Sequence, residues 1–183
     1  MMDIMPEAEV SLRLAFWLIK KRLVRQKIDV AIDGAQVYTN KTVHFNLPAF
    51  LKDAGWTTEQ PAKWQGVYRT PDTPVIINVH SRPGQGDLVA NLISGKNLRV
   101  ECKKGPLSRK SSSPEYRLIR EALGQLLTMK EVGEKDILAV AVPHSQKFAE
   151  LASRWREAPL LKQFRIRILT VDGTGNVEGF ALT

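Results

Sequence analysis

The chain has 183 residues, 43% hydrophobic and 25% charged, ordinary values for a soluble globular protein with one well-buried core. Its 27 Lys and Arg against 19 Asp and Glu leave a net charge of +8 and a pI near 9.7, which favours an anionic partner such as nucleic acid. A single cysteine excludes an intrachain disulfide and a cysteine zinc cluster, and points to the cytoplasm.

Met5 to Gln26 is predicted to be a helix, with Pro6 in its first turn, acids early and basic residues late. Its apolar run Leu14 to Ile19 is far shorter than the ~20 residues a bilayer span needs. The acids Asp3, Glu7 and Glu9 precede that run where a leader would be positive, so no membrane partner is expected. Lys27 to Tyr38 alternates like a strand, interrupted by the turn Asp33-Gly34. Asn46 to Trp56 reads as a short helix stopped by Gly55, and Lys63–Thr70 and Pro74–Ser81 as strands around the turn "PDTP". Two further strands follow "RPGQG", joined by the turn residues "SGKN".

Ser113 to Glu131 is the clearest predicted helix, with Ser113 as N-cap, Pro114 at the first helical position and an apolar stripe of Leu118, Ile119, Ala122, Leu123, Leu126 and Leu127. "DILAVAVP" suits a strand buried on both faces. Ser145 to Gln163 is a helix broken near Pro159, and "RIRILTVD" with "NVEGFAL" forms a terminal strand and a small extension. This order is α/β, with a mixed central β-sheet flanked by helices. Residues 1–45 are expected to be an N-terminal helix and strand extension on a core of residues 46–183, the whole forming one compact domain.

Within Gly86–Gly105, Leu98, Val100 and Cys102 share one strand face while Arg99, Glu101 and Lys103 share the other. With a hairpin centred near Gly95, residues whose numbers sum to about 190 lie opposite. Asp87 then faces Lys103, Val89 faces Glu101, and Asp87 is diagonal to Glu101 at ~7 Å. Two readings are open. One is a solvated hairpin face with paired charges; the other is a hard-oxygen site suited to Mg²⁺. A slip of one residue would carry Asp87 to the opposite face. Between Lys96 and Arg120 eight basic residues stand against Glu101 and Glu115, which is either a solvated loop or a surface for phosphates.

An aspartate on one strand, Glu-x-Lys on the next, a helix reading "REALGQLL" and then an apolar strand together resemble the restriction-endonuclease-like, or PD-(D/E)xK, nuclease superfamily. Asp87, Glu101, Lys103 and Gln125 stand at the matching positions, and the likeness covers roughly Val75 to Val142. Gly86 replaces the proline of the motif's name, and Met129 stands where some branches carry a tyrosine. The resemblance implies a restriction-endonuclease-like core in which Asp87, Glu101 and the backbone carbonyl of Cys102 bind Mg²⁺ or Mn²⁺. A further acid would come from the first helix, Glu7 or Glu9. Lys103 would orient or help deprotonate the attacking water. Gln125 would position substrate, or else is a boundary residue of an amphipathic helix. Lys104, Arg109, Lys110, Arg117 and Arg120 would meet phosphates. The implied activity is a divalent-metal-dependent nuclease, foremost a DNA endonuclease, with a homodimer favoured where two strands are cut. The alternative is a catalytically inactive nucleic-acid-binding or assembly protein on the same fold.

Other motifs carry less. "SGKN" lacks the glycine and the Ser or Thr of a P-loop, and His44, His80 and His144 have no metal-ligand spacing, although His80 lies shortly before Asp87. The four tryptophans read as core or interface anchors.

Overall fold

The computed structural model describes residues 4–39, 42–108 and 114–181. The chain opens with β1 (Ile4–Met5), α1 (Glu7–Lys20) and β2 (Val24–Ala31), then a separate hairpin of β3 (Gln36–Thr39) and β4 (Thr42–Asn46). After these come α2 (Leu47–Asp53), β5 (Thr57–Thr58), β6 (Gly66–Thr70) and β7 (Thr73–His80). The central hairpin is β8 (Leu88–Leu92) and β9 (Asn97–Cys102), followed by β10 (Gly105–Pro106) and α3 (Glu115–Leu127). The last part holds β11 (Asp136–Pro143), α4 (Gln146–Arg156), α5 (Pro159–Gln163), β12 (Arg167–Val171) and β13 (Val177–Glu178).

Nine strands form one mixed sheet in the order β13-β12-β11-β9-β8-β2-β7-β6-β5, so the architecture is α/β with helices on both faces. β11 runs parallel to β9 on one side and β12 on the other, which explains its unbroken apolar sequence. α1 buries Leu12, Leu14 and Leu18 against Ile28, Leu88 and Val100 on one face. α3 and α4 bury Ile119, Leu126 and Phe148 against Val140, Val142 and Ile168 on the other. Among the described residues no helix is long and apolar enough to cross a membrane.

Three expectations are corrected. The first helix ends at Lys20, not Gln26, because Arg22 turns into the left-handed region (φ 55°) and Val24 is drawn into pairing with Leu92. Burial of Val24, Ile28 and Val30 in the sheet outweighs the helical charge pattern of "KKRLVRQ". Residues 1–45 are also not an appendage. β2 lies between β8 and β7 in the middle of the sheet, and α1 covers it. α3 stops at Leu127, whose side chain is 64% exposed instead of completing the buried stripe. The expected cap Ser113 lies outside the described residues.

Candidate metal and active centre

The β8–β9 hairpin turns through the three residues Ile93, Ser94 and Gly95. Gly95 is left-handed at φ 80°, and Leu92 N–H donates to the Lys96 carbonyl at 2.9 Å. A three-residue loop that ends on a left-handed glycine is a common hairpin solution. It pairs Leu88 with Val100 and Val89 with Arg99, so facing residues sum to 188, two fewer than expected. Val89 therefore does not face Glu101. A shift of two keeps every paired side chain on its face; the ladder ends at Leu88–Val100, and Asp87 stands beside that last pair, not opposite Lys103.

Asp87 is fixed from several directions. Its N–H donates to the Val100 carbonyl at 2.9 Å, its carbonyl accepts from Ala31 N–H at 2.8 Å, and its Oδ2 accepts from Cys102 N–H at 2.7 Å. Its carboxyl also neighbours that of Glu101 closely enough for the Glu101 charge to act on it. In an antiparallel pair the N–H and C=O of one residue point the same way, so the Cys102 carbonyl lies on the Asp87 side, past the last rung of β8. The preceding Gly86 has φ 96°, and a Cβ there would sit 2.9 Å from the Val100 carbonyl oxygen and 3.0 Å from Met129 Cε. A proline, with φ locked at about −65°, cannot take this place.

The short ladder of β1 with β10 brings the start of α1 to the end of β9. Met5 pairs with Gly105 and Ile4 with Pro106, which sets Glu7, the first residue of α1, close to Lys103. Lys103 Nζ stands 3.5 Å from Glu7 Oε2, and Lys103 is only 7% exposed. Glu9, the other acid considered from this helix, instead pairs with Arg13 at 2.6 Å. The first-helix acid at the site is Glu7, not Glu9.

The electrostatics follow from burial of like charges. Burial pushes the Asp87 carboxyl up to about 7, and the charge of Glu101 adds to the push. The Cys102 N–H and the Lys103 ammonium pull it part of the way back. Glu101 is raised chiefly by burial, opposed by its Asp87 neighbour and by the Lys103 charge. Glu7 is raised by burial and by Asp87, again opposed by Lys103. The Cys102 thiol, fully buried, is pushed well up and is chemically quiet.

Glu7, Asp87, Glu101 and Gln125 line one concave cavity of about 1080 Å³, while Lys103 sits behind its wall. Among the described residues no group of three or more His, Cys, Asp or Glu side chains stands in metal-holding geometry; the acids that could hold a metal together here are Asp87 and Glu101. That pair fits a hard dication: two carboxyls forced together and partly desolvated gain most from a centre that neutralises both.

The basic stretch divides. Arg99 turns inward to Asp136 at 2.7 Å and Lys103 to Glu7, so neither adds to the surface. Lys104 is exposed and lines the cavity. Arg117 and Arg120 are exposed on α3 but do not line it, and the Arg120 guanidinium lies over the Tyr116 ring at 5.5 Å. Arg109 and Lys110 fall outside the described residues.

Sequence reasoning passed over Arg82, Lys130, Tyr38 and His44, all of which line the same cavity. Only Arg82, in the loop five residues before Asp87, carried a local signal. His80 opens instead onto a smaller hollow with Lys27 and Arg82, where burial lowers its pKa. Comparisons with protein-family models, curated proteins and solved structures found no match to this chain.

Proposed function

We propose that the chain is a divalent-metal-dependent nuclease on a restriction-endonuclease-like core, hydrolysing phosphodiester bonds of nucleic acid and of DNA in particular. The observation that carries this reading is the Asp87–Glu101 carboxyl pair brought into one cavity by the β8–β9 hairpin, with Lys103 two residues beyond Glu101. The element order supports it: Asp87 directly precedes β8, Glu101 lies on β9, Gln125 on α3, and β11 follows as a buried neighbour of β9.

Asp87, Glu101 and the Cys102 carbonyl would hold Mg²⁺ or Mn²⁺, which supplies positive charge at the scissile phosphate and acidifies water. The chain's own groups do the rest. Lys103, held by Glu7, keeps a fixed ammonium charge behind the carboxyl pair, where it stabilises developing negative charge and orients water. Gln125 presents an amide to the cavity, and an amide positions substrate but cannot act as a base. Lys104, Arg82 and Lys130 line the same cavity and meet phosphates.

The test is cleavage of plasmid DNA by the purified chain. Mg²⁺ or Mn²⁺ should support cutting, chelator should stop it, and Glu101→Ala and Lys103→Ala should each abolish it. A wild type that cuts with neither metal overturns the reading. One observation favours a non-cutting nucleic-acid-binding protein instead: the Lys103 ammonium is tied to Glu7 and is nearly out of reach of the cavity. That reading predicts DNA binding indifferent to Glu101→Ala.

A further inference from the structure

Part of the cavity's lining, Gln36, Val37, Tyr38 and His44, comes from the β3–β4 hairpin, a two-stranded sheet separate from the nine-stranded one. So small a hairpin is marginal alone, and this one is anchored on one side by buried Phe45, whose ring meets Phe50 at 5.2 Å. Its other apolar side chains are left out. Val37, Tyr38 and Val43 are 38%, 62% and 46% exposed. In a regular strand Val37 and Tyr38 would point to opposite faces. Both nevertheless line the cavity, and at this point the register shifts because β4 carries an extra unpaired residue, His44, which lines it too. The Tyr38 hydroxyl donates to the Gln36 side chain, which orients the ring.

We infer that this hairpin is a stacking wall, with Tyr38 as its platform, that receives unpaired nucleotides of a DNA strand and presents their backbone to Asp87 and Glu101. The inference rests on the nuclease reading for its substrate and adds the strandedness. Three features of the cavity carry it. An exposed aromatic ring stacks on any base, because every base has a π-face. Arg82, Lys104 and Lys130 line the cavity as well, so a backbone passing between ring and carboxyls meets positive charge. Finally, a volume of about 1080 Å³ is at the upper end of small-ligand pockets and suits a few nucleotides of one strand.

The test is fluorescence anisotropy of a labelled 20-mer oligodeoxynucleotide, single-stranded or annealed to its complement, in Ca²⁺ so that binding is read without relying on turnover. The single strand should bind wild type at least tenfold tighter than the duplex. Tyr38→Ala should weaken single-strand binding by about 5- to 100-fold, with Tyr38→Trp restoring it. The ring is mostly exposed, so both variants should melt at the wild-type temperature. Equal or tighter duplex binding, no binding of the single strand, or indifference to Tyr38→Ala overturns the inference. The same protein in Mg²⁺ separates the two readings. Tyr38-dependent single-strand binding with no cleavage under any metal keeps this inference and removes the nuclease. Cleavage of duplex that ignores Tyr38→Ala does the reverse.

Discussion

Glu7 and Lys103, ninety-six residues apart, meet at 3.5 Å where the two-residue β1–β10 ladder brings the start of α1 to the end of β9. The pair joins the first turn of α1 to the end of β9, and it neutralises the only lysine buried among the described residues. Removing its acid leaves a cation with nowhere to go. Glu7→Gln should therefore cost about 1–3 kcal/mol in urea denaturation, below the figure for a fully buried pair because Glu7 is partly solvated. Glu9→Gln, which breaks only an i,i+4 surface pair, should cost about 0.5 kcal/mol or less. Equal losses would contradict the assignment of Glu7 to the site.

Gly86 should tolerate no side chain. Gly86→Ala combines φ 96° with contacts of 2.9 and 3.0 Å to Val100 and Met129, and should cost about 2–4 kcal/mol. Gly84→Ala, at φ 107° with nothing within 4 Å, should cost about 1 kcal/mol. Chemical denaturation of both variants reads the contrast.

The pH dependence has a definite sign. Asp87 titrates near 7 in the folded chain and, like Glu101 and Glu7, is raised above its unfolded value, so between about pH 4 and 7 the native state binds more protons than the unfolded one. This stability is full below the unfolded pKa and is lost as pH rises through the folded one. In chelator, the melting temperature should fall between pH 5 and 8, and Asp87→Asn should flatten the fall. Added Mg²⁺ should raise the melting temperature more at pH 8 than at pH 5, where protons compete for the same oxygens. A melting temperature that rises from pH 5 to 8 without metal, with Asp87→Asn making no difference, would count against this electrostatic account.

Phosphate contacts should map to the cavity and not to the outer face of α3. Arg82→Ala and Lys130→Ala should each weaken oligonucleotide binding and reduce the slope of log K against log salt by about 0.7. Arg117→Ala and Arg120→Ala should leave that slope unchanged. Titrations at four salt concentrations decide it.

Much of this arrangement was legible in the chain. Alternation in "LRVEC" separated Glu101 from the core, and the unbroken run "ILAVAV" announced a strand paired on both sides. The turn was misjudged by one position, because Lys96 and Asn97 read as turn residues but already pair as strand. The shift is even, and Asp87 and Glu101 line one cavity while Lys103 lies outside its lining. What stayed hidden depends on long-range pairing. Nothing near Glu7 distinguishes it from Glu9 until β1 finds β10, and nothing near Val24 announces a strand until Leu92 is beside it. The β3–β4 wall was invisible for the same reason: that it shares a cavity with Asp87 is a property of packing, not of local pattern.

Everything turns on whether Asp87 and Glu101 together hold a dication. Electron paramagnetic resonance of Mn²⁺ titrated into the full chain at pH 8 measures this directly. The account predicts Mn²⁺ bound to the wild type, displaced by Mg²⁺, and lost in both Asp87→Ala and Glu101→Ala. Absence of bound Mn²⁺ in the wild type, or binding that survives both substitutions, would contradict it.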